Sequence, residues 1–213
     1  TDSNVNGNSS TYVGWFWKET ATAGFDIVSY TGSGSAKTVS HSLSAVPKMI
    51  IVKARSSSGQ WTVQHASLGA THWIELQNTA AADFSAAIWN NTTPTSSVFT
   101  VGTNARTNAN GTTYIAYLFA EKQGYSKFGS YVGNGNVSGS YIHLGFKPAW
   151  VMVKKTTAAN NWVMMDNKRD PFNMMTEYLL ANDSGAEGTG LNFDFLSNGF
   201  KLRSASGGTN TSG

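Results

Sequence analysis

The sequence contains no cysteine and few charged residues, and both absences limit what the protein can be. Without cysteine it has no disulfide and no thiolate metal site, so oxidising and reducing compartments are equally compatible with it. Charged residues make up only 13% of the chain, whereas a disordered chain has more charge and fewer aromatic residues. Aromatic residues reach 12%, and together these proportions indicate a folded, β-rich protein.

Long apolar runs and clusters of basic residues are also missing. No apolar run approaches the roughly 18 residues that span a bilayer. The first ten residues, TDSNVNGNSS, lack the basic region and apolar core of a signal peptide. The net charge is +3, and basic residues are adjacent only in pairs such as Lys154 and Lys155. A nucleic-acid-binding surface needs clustered basic charge. We therefore expect no membrane insertion and no nucleic-acid partner.

Short runs rich in Val, Ile, Tyr, Phe and Trp alternate with clusters of Gly, Asn, Ser and Pro. The runs predict β-strands and the clusters predict turns. The predicted strands are residues 11–18, 25–31, 37–42, 48–54, 61–65, 72–77, 98–101, 113–120, 125–131, 140–144, 149–155, 162–166, 176–181 and 199–203. The stretch NMMTEYLLAN from Asn173 has helical spacing, but its counterpart in the repeat described next is a strand. The predicted fold is an all-β sandwich of antiparallel strands.

The sequence repeats itself with a period of about 101 residues. LSAVPKMIIVKARSSSGQWTV, which begins at Leu43, returns as LGFKPAWVMVKKTTAANNWVM, so that Trp61 matches Trp162. GFDIVSYTGSGS also returns, as GYSKFGSYVGNGN, with one residue inserted. The chain is therefore predicted to form two pseudo-repeated β-sandwich units, the first over residues 20–121 and the second over residues 122–213, where the counterpart of the first unit's last strand is missing.

The N-terminal segment STYVGWFWKE matches the last strand of the first unit. NGNSSTYVGWFWKE parallels NANGTTYIAYLFAE, which sets Tyr12 against Tyr114. Residues 1–19 are therefore predicted to contain an additional closing strand. This strand closes either a preceding unit or the second unit of this chain. The local sequence favours neither alternative.

Both faces of this segment carry large apolar residues. Trp15 and Trp17 lie on one face, whereas Tyr12 lies on the other. A strand with two apolar faces is expected to be covered on both. We expect it to pair beside the strand that contains Phe200, within the chain or between copies. Tyr12, Trp15 and Trp17 are accordingly candidate oligomer contacts.

Groups suited to catalysis are sparse. Without cysteine, nucleophilic catalysis needs Ser or Thr beside a histidine and a carboxylate. The histidines either lie in strand patterns or flank the turn ASLGAT without a carboxylate; they are His41, His65, His72 and His143. No G-x-S-x-G, P-loop or H-E-x-x-H motif occurs. The sequence predicts a protein without catalytic residues, metal site or cofactor.

The densest polar cluster is MDNKRDPFN at residues 165–173, an insertion relative to the first unit. Its acidic and amide oxygens could bind calcium, but two basic residues in the same loop oppose a cation. A turn in which Arg169 pairs with Asp166 or Asp170 is the structural alternative. Contact of this loop with a sugar or with another protein is the remaining alternative. The candidate ligand-contact residues of this loop are Asp166, Asn167, Arg169, Asp170 and Asn173.

Two tryptophans complete the set of candidate ligand contacts. Trp61 and Trp162 occupy equivalent strand positions in the two units. Packing in the core of each unit explains their recurrence. Stacking on a sugar ring is the functional alternative, because an aromatic face offers flat apolar area.

Three stretches resemble a known repeat family. YTGSGSAKTVSHSLSAVPKMIIVKARSSSGQWTVQHASLGA, DNKRDPFN and FLSNGFKLR are similar to tandem repeats of about 100 residues in tail-fibre and other virion proteins of tailed, often marine, bacteriophages. The resemblance covers nearly the whole chain. It implies a jelly-roll or lectin-like β-sandwich and supplies no catalytic residues.

The function expected from this resemblance is that of a non-enzymatic virion structural protein in a tail fibre, spike or capsid-surface appendage. The expected location is the extracellular particle. Its partners would be other copies of the chain or other virion proteins. The alternative function is a carbohydrate-binding module that recognises host surface glycans.

Overall fold

Antiparallel β-strands dominate the computed structural model, which describes residues 3–212. The all-β prediction is confirmed. Helical structure in the described part of the chain is confined to short turns: α1 (Ser3–Asn6), α2 (Ala86–Trp89), α3 (Ala105–Asn108) and a 3₁₀ turn at Ala66–Leu68. The stretch from Asn173 forms no helix, as its repeat counterpart predicts.

The first unit is a sandwich of a six-stranded sheet and a two-stranded ribbon. Its strands are β1 (Phe25–Thr31), β2 (Lys37–Ser40), β3 (Met49–Ala54), β4 (Trp61–His65), β5 (His72–Glu75), β6 (Asp83–Phe84), β7 (Val98–Val101) and β8 (Thr113–Phe119). The sheet order is β1-β8-β3-β4-β5-β6, and the ribbon is β2-β7. Side chains from both layers, such as Ile50 and Phe99, fill one core.

The closing strand β8 lies at the centre of the larger sheet. It pairs with β1 on one side and with β3 on the other, in each case over most of its length. Its residues alternate in burial, so that Tyr114, Ala116 and Leu118 lie in the sandwich core while Tyr117 and Phe119 face the second unit. This alternation is the period-2 pattern that the sequence predicts.

The second unit has the same two layers but fewer strands in the first of them. Its strands are β9 (Tyr141–His143), β10 (Trp150–Lys154), β11 (Trp162–Asp166), β12 (Leu179–Leu180), β13 (Phe193–Leu196) and β14 (Gly199–Leu202). One sheet has the order β10-β11-β12 and the other β13-β14-β9. Between them lies a core that includes Val163, Phe195 and Phe200.

Two buried asparagines hold equivalent loops in the two units. The side-chain oxygen of Asn108 accepts a hydrogen bond from the backbone N–H of Ser33 at 2.8 Å. The side-chain oxygen of Asn210 accepts one from the N–H of Asn134 at 3.0 Å. Both side-chain nitrogens donate to backbone carbonyl oxygens of their own units. The repeat is therefore preserved in contacts as well as in sequence.

Two predicted strands are wrong. Residues 11–18 and residues 125–131 form no strand. Residues 125–131 correspond to β1, which is a strand because β8 pairs with it, and no described residue supplies the equivalent of β8 to the second unit. Pairing of residues 11–18 beside the Phe200 strand is also excluded within the chain, because β13 and β9 occupy both edges of β14.

Two strands were not predicted. β6 (Asp83–Phe84) is only two residues long, and β13 (Phe193–Leu196) lies in NFDFLS, where alternation is present over too short a run to stand out. β13 has no counterpart in the first unit, so the repeat comparison did not indicate it either. It extends the second layer of the second unit from two strands to three.

The two units pack through the outer faces of the six-stranded sheet and of the β10-β11-β12 sheet. Trp162 is buried there against Met49 and Ile51 of β3, and its indole Nε1 donates to the carbonyl oxygen of Glu75 at 2.8 Å. Equivalent residues from both units line this interface: Trp61 and Trp162, and Ile51 and Met152. Within residues 3–212, no helix has the length and apolar character needed to cross a membrane.

Candidate functional site

The inserted loop of the second unit is built around the ion pair between Asp166 and Arg169. Asp166 is the last residue of β11 and only 3% exposed. Arg169 Nε donates a hydrogen bond to Asp166 Oδ2 at 2.7 Å, and Arg169 Nη1 donates one to Glu187 Oε2 at 2.6 Å. The backbone N–H groups of Lys168 and Arg169 donate to the other oxygen of Asp166. The loop is thus fixed by charge-assisted hydrogen bonds.

These contacts set the charge state of the pair. Burial by itself would raise the pKa of Asp166, but hydrogen bonds from Arg169 and from the two backbone N–H groups lower it below the ordinary value. Burial likewise disfavours the charged form of Arg169, yet its bonds to Glu187 and Asp166 raise its pKa above the ordinary value. Both groups are therefore ionised at neutral pH.

The remaining candidate residues of the loop are also engaged by the protein. Asp170 accepts a hydrogen bond from the backbone N–H of Thr176 at 2.6 Å. Asn173 forms a two-way bond with the backbone of Phe195, at 2.9 and 3.0 Å. Asn167 keeps its side-chain oxygen buried, with no hydrogen-bond partner among the described residues. The geometry is that of the structural turn in which Arg169 neutralises the carboxylates.

This loop holds two apolar side chains outward. Phe172 is 78% exposed, and Met174 is 45% exposed. The fixed backbone around them means that a partner meets preformed apolar surface. Sequence comparison did not select Phe172, because an aromatic in a polar loop is indistinguishable from a packing residue until its exposure is known. The corresponding part of the first unit is the 3₁₀ turn at Ala66–Leu68, which carries no aromatic side chain.

The two candidate tryptophans lie at the interface between the units. Trp162 is 4% exposed, so neither face of its ring is accessible to a sugar. Trp61 is half-buried and stacks on Tyr117, with ring centroids 6.2 Å apart. Both residues therefore serve packing, but in the interface between the units and not, as the sequence predicts, in the core of each unit.

The N-terminal aromatics differ in their surroundings. Trp17 packs edge-on against Trp150, with ring centroids 5.7 Å apart, and against Phe119 at 6.3 Å. Trp15 is half-buried, and Tyr12 accepts a hydrogen bond at its hydroxyl from the backbone N–H of Gly7. The aromatic contacts of Trp17 are thus within the chain.

Comparison with family models identifies the chain through its whole length. The model described as "Domain of unknown function (DUF7483)" matches residues 1–213. The chain belongs to this family. Comparison with curated proteins and with solved structures gave no match.

The histidines of this DUF7483 member hydrogen-bond to backbone and hydroxyl groups. His41 contacts the carbonyl oxygen of Thr95, and His65 accepts from the N–H of Ser67. Burial lowers the pKa of both imidazoles below the ordinary value, so they are neutral at pH 7. Within the described residues, no group of three or more His, Asp or Glu side chains is arranged to hold a metal ion.

Proposed function

We propose that this chain is a non-enzymatic structural module of a tailed-phage particle, located in a tail fibre, spike or capsid-surface appendage. The resemblance of YTGSGSAKTVSHSLSAVPKMIIVKARSSSGQWTVQHASLGA to virion repeats gives the context. The structural support is a framework of two sandwiches joined by a buried apolar interface around Trp162. Such a framework transmits load and holds surface loops at fixed positions.

The observation that carries this proposal is the pairing of polar groups inside the protein. Arg169 neutralises Asp166 and Glu187, and Arg106 neutralises Glu75 while stacking on Trp73. Charged groups used in this way are committed to holding loops in place. The exposed apolar pair Phe172 and Met174 then provides a contact surface, toward another particle protein or another copy of the chain.

Quantitative mass spectrometry of purified particles from the source culture tests this proposal. We expect peptides of this chain to copurify with the particles at a fixed copy number relative to the major virion proteins. A chain that stays in the cell lysate and is absent from gradient-purified particles would contradict the proposal.

The alternative function is recognition of host surface glycans by the inserted loop. It is favoured by the 78% exposure of Phe172 in a loop that also carries the exposed Lys168, because sugar sites combine an aromatic face with hydrogen-bonding groups. A glycan array with the purified chain is the test. Saturable binding that Phe172→Ala abolishes supports this alternative.

An exposed aromatic in the first unit provides the matched control. Phe84 is also well exposed, and its neighbour His72 contacts the ring edge-on at 5.6 Å. Phe84→Ala should leave glycan binding unchanged. Equal loss in both variants, or no binding by the unaltered chain, counts against a glycan site at the loop.

A further inference from the structure

The second unit lacks one strand that the first unit has. In the first unit β3 pairs with β4 on one edge and with β8 on the other. In the second unit β10, the equivalent of β3, pairs with β11, and no other described strand pairs with it. Nearly all side chains of β3 are buried, whereas most of those of β10 are only half-buried. We call this free edge of β10 the strand slot.

We propose that residues 12–18 of this same chain enter the strand slot and form the closing strand of the second unit. Their sequence YVGWFWK is the counterpart of YIAYLFA, which forms β8 and its continuation in the first unit. In the first unit Leu118 is opposite Ile50. The same register in the second unit places Phe16 opposite Val151.

The contacts of Trp17 already follow this register. Phe119, the counterpart of Trp17, is opposite Met49, whose own counterpart is Trp150. The ring of Trp17 packs on Trp150 at 5.7 Å. The segment therefore lies beside the slot with the tryptophan face turned toward the correct partner.

The relation between the two units explains why the segment reaches the second unit. Trp17 and Phe119 are equivalent residues, and their rings are in contact. The interface also uses the same surface on both units, which is the property of an isologous, two-fold contact. A two-fold operation that places the second unit on the first also places the first on the second. β8 lies in the first unit and leads directly into the second. By the same symmetry, the segment that leads directly into the first unit belongs in the second.

The connections from both closing segments into the next unit are also alike. The carboxylate of Glu121 accepts a hydrogen bond from the N–H of Phe128 at 3.0 Å, and that of Glu19 accepts one from the N–H of Ile27 at 3.3 Å. A bridge follows in each case, at Lys122 and Ser126 and at Thr20 and Phe25. The segment thus enters the first unit along a path equivalent to the one by which the chain after β8 enters the second.

Phe16 is the side chain whose surroundings change when the segment enters the strand slot. Phe16 is 95% exposed, whereas its counterpart Leu118 is fully buried. Movement of the segment into the slot carries Phe16 into the core beside Val151, with Trp15 and Trp17 still facing the interface. The driving force is burial of an exposed aromatic ring and pairing of an open sheet edge.

Disulfide trapping tests the proposal cleanly, because the chain has no cysteine of its own. The variant Phe16→Cys with Val151→Cys places thiols on residues that become cross-strand neighbours, about 4.5 to 5.5 Å apart at Cα. We expect nearly complete oxidation to a disulfide within one chain, independent of protein concentration. Non-reducing electrophoresis and intact mass then show a crosslinked species at the monomer mass of 22.8 kDa.

Two further pairs calibrate this experiment. Leu118→Cys with Ile50→Cys is the equivalent pair of the first unit and should crosslink. Phe16→Cys with Lys155→Cys is displaced four residues along β10 and its continuation, so it should not. Failure of the first pair to crosslink while the calibration pair does overturns the proposal. A disulfide that links two chains also overturns it, and assigns the slot to a second copy.

A single substitution gives an independent readout. With Phe16 in solvent, Phe16→Ser has no effect on stability, whereas with Phe16 in the core it lowers the melting temperature by about 5 °C or more. Val137→Ser is the control at another exposed apolar position and should leave the melting temperature unchanged. An unchanged melting temperature for Phe16→Ser contradicts strand insertion.

Discussion

The two units share a two-layer design and the asparagines that hold equivalent loops, yet the first has a six-stranded sheet where the second has the three-stranded β10-β11-β12 sheet. Asn108 and Asn210 make equivalent bonds, and β14 pairs with β9 as β7 pairs with β2. The difference is concentrated at the closing strand, which is β8 in the first unit. Without it, residues equivalent to β1 lose their strand conformation and the edge of β10 is open. A neighbour whose only partner is the central strand, as β1 is, thus depends on that strand to be a strand, whereas β10 remains one because it also pairs with β11.

The largest expected effect comes from the tryptophans at the interface. Trp162→Ala should cost about 3 to 5 kcal/mol of unfolding free energy, because it empties a buried site and removes the indole bond to Glu75. Trp61→Ala should cost clearly less, since Trp61 is half-buried. Urea unfolding measures both, and Trp162→Phe separates lost volume from the lost hydrogen bond. Equal costs at the two positions would contradict the difference in burial between Trp162 and Trp61.

The next effect compares the buried ion pairs of the units. Arg169→Ala leaves Asp166 buried without its cation, and Arg106→Ala does the same to Glu75, so each should cost about 3 kcal/mol. Lys127→Ala removes the exposed partner of Glu121 and should cost less than about 1 kcal/mol. Thermal unfolding of the three variants gives the ranking. A cost for Lys127→Ala that matches the other two would argue against the importance of burial.

Substitution of Asn108 and of Asn210, which hold equivalent loops in the two units, should lower stability by similar amounts. Asn108→Ala and Asn210→Ala each remove bonds to buried backbone groups and should cost about 2 to 3 kcal/mol. Denaturant midpoints of the two variants, measured side by side, test whether equivalent residues of the two units contribute equally to stability. A large cost at one position and none at the other would show that the shared geometry does not carry shared stability.

A smaller effect is expected from pH. The pKa of Asp166 is lower in the folded than in the unfolded chain, so its contribution to stability is present above the ordinary carboxyl value of 3.8. That contribution is lost as pH falls through the lower, folded value. Asp166→Asn should therefore flatten the acid limb of a plot of melting temperature against pH. An acid limb of unchanged slope in this variant would show that Asp166 does not contribute to the loss of stability at low pH.

Most strands were predictable from local sequence, because alternation and turn residues mark them directly. The repeat corrected the apparent helix from Asn173, since its counterpart in THWIELQN is a strand. Residues 125–131 were mispredicted because a strand also needs a partner, and partner availability is a property of the whole sheet.

The candidate site was predictable only in part. The residue types of MDNKRDPFN indicated pairing of Arg169 with Asp166, and the structure has that pair. The third member, Glu187, lies 18 residues away from Arg169 and was not indicated by local pattern. Phe172 was passed over because exposure depends on the direction in which a fixed loop points, which sequence composition does not encode.

Hydrogen exchange monitored by mass spectrometry tests the central claim most directly, namely that residues 12–18 are the closing strand of the second unit. We predict that their backbone amides exchange as slowly as those of Thr113–Phe119, and that those of Trp150–Lys154 match Met49–Ala54. Complete exchange of residues 12–18 within seconds, with β8 still protected, would contradict the claim.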